Sequence, residues 1–418
     1  MNLTHDAYRA ILFPISAQTG RVFYYLEPRR TDDGDHRQPC VTLERMIDPF
    51  TPVQLGALHL RNRIVFAPCT TYSSFDATSP LHAGGRDGHI TPSELRYLER
   101  RAASVGLVVT AACYVLPEGK GFVGQWACDN DETLPSLEAA ASAIHRGGAL
   151  AFLQLHDAGR QSPPALIGQA ARAPSSVPMP REGAPVPRAM TEREIERALQ
   201  AFAEAGVRAR DAGFDGVEIH GANTYLLQQY LSPHSNRRED AWGGSLEHRL
   251  RFPLEVVRRV TGAVGAGFPV AYRYSPEESW EPGLTMQDTQ ALLEGLAEFD
   301  LAYVSVSTQG YWQAGLRDPT DATPRARIAK SLLPRTPIVG VGGVWTRDDA
   351  QRIFDDGTDL VALGRALICD PEWTRHVSSG EQPRMGFPRR NWEALDVPTG
   401  LARRILETPG WFPILERE

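Results

Sequence analysis

Gly216-Val217-Glu218-Ile219-His220-Gly221-Ala222-Asn223-Thr224-Tyr225-Leu226-Leu227-Gln228-Gln229-Tyr230-Leu231-Ser232-Pro233 is the stretch on which the fold turns. A short, largely apolar run, Gly216–His220, ends on a histidine, and polar groups crowd in directly behind it. Runs of this length suit strands buried on both faces, as in a parallel sheet. Seven more occur along the chain: Ile64–Ala67, Leu107–Ala111, Leu150–Leu155, Val270–Tyr274, Tyr303–Val306, Ile338–Val341 and Leu360–Leu363.

Helical patterns fall between these runs. Thr191–Ala212 opens on Thr191 with Glu194 three residues later, a capping box. Ser245–Val260 places Leu246, Leu250, Leu254 and Val257 on one face. Thr285–Glu298 begins with Thr285 and Asp288, and Arg347–Asp356 stops before Gly357, a C-cap residue. Strands alternating with helices predict a parallel α/β fold. The choice lies between a closed barrel and a doubly wound open sheet. Length and a count of eight favour a (β/α)8 TIM barrel, whose active site forms at the C-terminal strand ends. The residues found there are Thr70, Gln154, His220, Asn223, Arg273 and Arg365.

The 418 residues, 42% hydrophobic and 23% charged, are ordinary for a globular protein. A formal net charge of -7 with scattered Lys and Arg gives no pull toward nucleic acid or an anionic membrane. The five cysteines, Cys40, Cys69, Cys113, Cys128 and Cys369, include no C-x-x-C pair, so no metal site is expected. Reduced thiols, the absence of a signal-peptide pattern and the absence of a long apolar run point to the cytoplasm. Residues 1–45 read as a short N-terminal extension of unassigned role. They hold a charged loop or tail, Arg29–Asp35, and a short strand at Val22–Leu26. Residues 46–418 read as the barrel domain together with its C-terminal tail.

The polar residues behind the fourth run carry chemistry. A helical turn starting at His220 would put His220 and Asn223 on one face. Two neutral donors converging on one point suit an oxygen gaining negative charge. Tyr225, a phenol of ordinary pKa about 10, then supplies a proton without leaving a charged acid in place. The combination fits reduction of a C=C bond conjugated to a carbonyl or nitro group. A phosphate site is expected on independent grounds. Gly340-Val341-Gly342-Gly343 and Gly364-Arg365 follow the seventh and eighth strands, where barrels often bind phosphate. The glycines let backbone N–H groups approach an anion, and Arg365 can pair with it.

The stretch His220–Tyr225, Ser232-Pro233 and Asn236–Ser245 resembles the Old Yellow Enzyme family of flavin oxidoreductases. Leu60–Pro68, Gly88–Pro92, Gln154–Arg160 and Leu363–Arg365 extend the resemblance from about residue 46 to the C-terminus. It implies tight, non-covalent FMN, NADPH or NADH as reductant, and an electron-poor alkene as substrate. His220 and Asn223 look like the pair binding the substrate's activating oxygen, and Tyr225 like the proton donor. Pro68, Cys69 and Thr70 follow the first strand. Thr70 looks like the contact to the flavin O4/N5 edge, with Cys69 one residue short of it. Ala112 and Gln154 look like contacts to the pyrimidine edge, and Arg273 like the cation near N1 and O2, which would stabilise the anionic reduced flavin. Gly342, Gly343, Gly364 and Arg365 would take the FMN phosphate.

Thr224 departs from the family pattern, which has Gly there. His156 faces either the substrate side or simply ends its strand. Glu277-Glu278 reads as a solvated loop rather than an acid–base pair, and Trp242 as packing under the Gly243-Gly244 loop. The apolar tail Pro409–Pro413 docks either on its own barrel or on a second subunit, so a homodimer stays open. Competing readings are a flavin dehydrogenase or demethylase running oxidatively, a flavin-binding redox protein without turnover, and a flavin-free metal hydrolase.

Overall fold

Eight parallel strands close on themselves in the computed structural model, which describes residues 8–13, 23–28, 48–56, 58–75 and 86–416. They are β1 (Ile64–Phe66), β2 (Leu107–Tyr114), β3 (Leu150–His156), β4 (Gly216–Gly221), β5 (Val270–Tyr274), β6 (Val304–Val306), β7 (Ile338–Val341) and β8 (Leu360–Leu363). Each pairs with the next in sequence. β8 returns to β1 through Val361↔Ile64, and β1 meets β2 through Val65↔Leu107. The array is therefore a closed barrel and not an open sheet.

The interior explains the composition of the runs. Val65, Leu107, Val109, Phe152, Ala271, Tyr303, Val339 and Leu360 form one buried cluster, which Leu58 and Leu60 join from a preceding hairpin. Phe152 stacks on Tyr303 at 5.6 Å between ring centroids. A Cβ at position 216 would lie 2.4 Å from Phe152 Cζ, so β4 has to begin with glycine.

The longer helices between strands are α1 (Pro92–Ala102), α2 (Leu134–Gly147), α3 (Glu192–Asp211), α4 (Leu246–Val264), α5 (Met286–Leu296), α6 (Arg325–Leu332) and α7 (Arg347–Asp355). Capping boxes at Thr191–Glu194 and Thr285–Asp288 open α3 and α5 as the sequence predicts, and Ser245 caps α4. Each box satisfies N–H groups that lack intrahelical partners.

Residues 1–48 form a unit of their own, in which Tyr8–Phe13 pairs antiparallel with Phe23–Pro28. The Arg29–Asp35 stretch lies outside the described residues. Among those described, no helix is long and apolar enough to cross a membrane.

Two expectations need correction. Glu277 and Glu278 are buried, not solvated. Glu278 accepts from Gln228 Nε2, Ser232 Oγ and the backbone of Leu284, while Glu277 pairs with Arg325. All but the Leu284 N–H come from distant segments, and together they replace water around the carboxylates. Secondly, the residues after His220 form no helical turn. Asn223 and Thr224 take left-handed φ of 56° and 61°, and a helix starts only at Leu226. The tail docks on its own chain: Phe412 is buried against Phe387, and Ile414–Leu415 pairs with Phe387–Pro388. Trp242 packs edge-on to Phe252 of α4.

Candidate active site

The C-terminal ends of β3 to β6 assemble the polar groups. His220 is buried, and its Nδ1 accepts the backbone N–H of Ala222 at 3.2 Å, which leaves the hydrogen on Nε2. Burial first, then His156 and Arg273, hold its pKa well below the ordinary imidazole value. It is thus a neutral donor. The Tyr225 ring stands perpendicular to it, 5.1 Å away between centroids. Burial, helped by Tyr72, pushes the Tyr225 phenol well above its ordinary pKa, so the proton is retained.

Asn223 reaches the same region through the left-handed turn. Ser275 Oγ accepts its backbone N–H at 2.9 Å, and Ser307 Oγ donates to its Oδ1 at 2.9 Å. With Oδ1 accepting, the amide presents Nδ2 as donor. Ser307 in turn accepts from Arg273 Nη2 at 3.1 Å, and Ser305 accepts from Nη1 at 3.2 Å. Arg273 is buried, and both these partners are neutral hydroxyls. The turn is fastened from below. Gln228 Oε1 accepts the Thr224 N–H at 2.7 Å, Gln161 Nε2 donates to Thr224 Oγ1 at 2.7 Å, and the Asp157 carbonyl accepts the Leu226 N–H at 3.0 Å.

The remaining expected residues fall as follows. Pro68, Cys69 and Thr70 follow β1 and are partly exposed. The exposed part of Cys69 does not solvate its sulfur: desolvation pushes the thiol up to about 11 against the pull of Arg273, Arg101 and Arg365, so it stays protonated. Ala112 and Gln154 are register partners on β2 and β3, and Gln154 Nε2 donates to Glu218 at 2.7 Å. Gly342 and Gly343 follow β7 at φ of 116° and 73°. A Cβ at 342 would sit 2.8 Å from Gly310 Cα, whereas around 343 the space is open. A cavity of about 340 Å³ opens beside them, walled by Gly310, Tyr311 and Trp312. Arg365 lies over the Trp345 ring at 5.9 Å, beside the β7 loop, and donates to the Trp411 carbonyl.

These residues fit a phosphorylated flavin. Two glycines in a positive-φ turn bare their backbone next to open space, and a buried guanidinium bound only to hydroxyls here suits an anionic ring edge. Sequence reading missed Ser307 and Gln125. Ser307 was findable: it follows β6 directly, at a strand end like that of His220 in β4.

The fold and this constellation define a flavin oxidoreductase on a (β/α)8 barrel. A family model described as NADH:flavin oxidoreductase / NADH oxidase matches residues 48–383, and the chain belongs to that family. It is 38% identical over 369 residues to the NADH:fumarate oxidoreductase of Klebsiella pneumoniae (strain 342), covering 86% of this chain but only 39% of that protein. It is also 38% identical over 377 residues to the probable NADH-dependent flavin oxidoreductase YqiG of Bacillus subtilis (strain 168), covering 88% and 97% of the two chains. The solved old yellow enzyme homologue of Zymomonas mobilis superposes with a TM-score of 0.70 at 27% identity, over 81% of this chain and 94% of that one.

Proposed function

We propose that the barrel, residues 46–418, reduces the C=C bond of α,β-unsaturated carbonyl or nitro compounds, with NADH as reductant. The support is a trio of neutral donors at one strand end: the imidazole of His220, the carboxamide of Asn223 and the phenol of Tyr225. Neutral donors suit an oxygen that becomes negative only during reaction, because no ion pair has to be broken to receive the substrate. NADH is favoured over NADPH by the names of both relatives above. Among the described residues Cys69, Cys113, Cys128 and Cys369 are free, which suits a reducing compartment such as the cytoplasm.

Bound FMN would take up hydride from the nicotinamide and supply it to the alkene. Ala112, Gln154, Arg273 and Thr70 would hold its ring, and Gly342, Gly343, Gly364 and Arg365 its phosphate. His220 Nε2 and Asn223 Nδ2 hold the substrate's carbonyl or nitro oxygen and draw electron density toward it. Arg273 keeps the amide of Asn223 turned the right way through Ser307. Tyr225 Oη passes its proton to the carbon next to the activating group and is reprotonated from solvent. Its high pKa keeps it fully protonated beforehand.

Anaerobic stopped-flow separates the two halves of the cycle. Tyr225→Phe is expected to leave flavin bleaching by NADH intact and to slow its reoxidation by 2-cyclohexenone about a hundredfold, the low end for a positioned general acid. Reoxidation at the wild-type rate in Tyr225→Phe removes the tyrosine from its role, and a purified protein lacking the yellow flavin absorbance ends the reading altogether.

A further inference from the structure

Gln125, in the loop between β2 and α2, has every polar valence of its amide in use. Its Oε1 accepts the backbone N–H groups of Gly121 at 2.7 Å and Phe122 at 3.2 Å. Its Nε2 donates to the Ala112 carbonyl at 3.1 Å and faces His156 Nδ1 at 3.0 Å. Two N–H donors on Oε1 fix the amide's orientation, so the group facing His156 is the NH2. His156 Nδ1 therefore accepts, and its hydrogen sits on Nε2.

That Nε2 is wholly buried and without a hydrogen-bond partner. Burial lowers the pKa of His156 to about 3, so the ring is neutral. It cannot act as an acid near neutrality, and an atom with no accessible surface does not meet substrate as the pocket stands. It is also a poor packing residue. A buried, unpaired donor destabilises the fold compared with a residue carrying none. What the ring does touch is Tyr225, at 4.4 Å between centroids and 77° between planes, closer than His220 at 5.1 Å or Phe122 at 6.2 Å. Phe122 is itself tied by its backbone to Gln125 and lies 6.1 Å from His156. The Tyr225 ring is thus hemmed by three rings, and Gln125 holds two of them.

We propose that Gln125 and His156 are positioning residues for Tyr225, fixing the phenol where it can reach the substrate carbon, so that proton delivery depends on them and flavin reduction does not. This rests on the reading of Tyr225 as proton donor. An edge-to-face ring wall leaves the phenol few orientations, and a displacement of about 1 Å at a reacting group can cost about a hundredfold in rate.

The test uses FMN-loaded enzyme in a double-mutant design. His156→Leu and Gln125→Met are made in the wild type and in Tyr225→Phe, with flavin reduction by NADH and reoxidation by 2-cyclohexenone timed separately. In the wild type each is expected to slow reoxidation about tenfold, with bleaching and enone KM within about twofold. In Tyr225→Phe neither should slow reoxidation further, because the group being positioned is gone. Equal loss in both half-reactions, or full additivity with Tyr225→Phe, overturns the proposal. Should His156→Leu not fold, Gln125→Met, which alters no ring, decides by the same criteria. A slow Tyr225→Phe beside unaffected positioning variants sinks this inference alone, whereas an unaffected Tyr225→Phe sinks the functional reading and the inference with it.

Discussion

Gly221→Ala tests whether the tight meeting of β4 and β5 sets the site's geometry. A Cβ at 221 would lie 2.1 Å from Tyr272 Oη, 2.3 Å from Cζ and 2.6 Å from Cε1. Ordinary carbon contacts are about 3.5 Å, so at least 1 Å has to be found. Tyr272 is 1% exposed and cannot swing into solvent. The strand ends must therefore part. Overpacking of this kind costs about 1–3 kcal/mol. The clash also lies one residue beyond His220 and one before Arg273, which are register partners. A shift of about 1 Å there displaces the donor and the cation together, with an expected rate loss of about a hundredfold. Urea unfolding gives the stability change and enone-driven flavin reoxidation gives the rate. Tyr272→Leu combined with Gly221→Ala should recover part of the activity by shortening the obstructing side chain. A Gly221→Ala enzyme with wild-type midpoint and rate would show that the two strand ends are not in tight contact, and the reasoning would fall.

Ser307→Ala removes the hydroxyl between Arg273 and Asn223. It should raise the enone KM and slow reoxidation roughly tenfold by freeing the Asn223 amide to turn, while urea stability changes by no more than about 1–3 kcal/mol; steady-state kinetics beside unfolding curves check this. Arg172→Met leaves the fully buried Asp157 carboxylate without its cation and should destabilise the fold by about 3–5 kcal/mol, read by urea denaturation. His156 carries a folded pKa of about 3, below its unfolded value of about 6.5, so the unfolded chain binds more protons between those limits. Stability contributed by this group is whole above about pH 6.5 and falls as pH drops toward 3, by at most about 1.4 kcal/mol per pH unit. Urea midpoints of His156→Phe should accordingly fall less steeply than wild type between pH 6.5 and 5; parallel slopes would contradict the neutral, buried imidazole.

How much was legible follows from how far each interaction reaches along the chain. The eight strands showed in the sequence because burial on both faces demands runs without a polar side, and Thr191 and Thr285 were readable because a capping box closes within three residues. Glu277 and Glu278 were misread because their partners, Ser232 and Arg325, lie more than 40 residues away. Ser307 is 84 residues from the Asn223 it orients, and Gln125 is 31 from His156. Thr224 belongs between these extremes. Its left-handed φ shows why the family pattern has glycine there, since a β-branched residue pays about 1–2 kcal/mol in that region. What the sequence alone could not supply is the return on that strain. The Thr224 hydroxyl accepts from Gln161 Nε2, which also donates to the Asn223 carbonyl at 3.0 Å, so a glycine would remove one of the two bonds that tie Gln161 to the turn. The strain is held locally by bonds from the β3 loop, from Gln228 and from Asp157, and it falls between the amide of Asn223 and the phenol of Tyr225, where a turn that cannot relax keeps the two groups proposed to act on the substrate at a fixed separation.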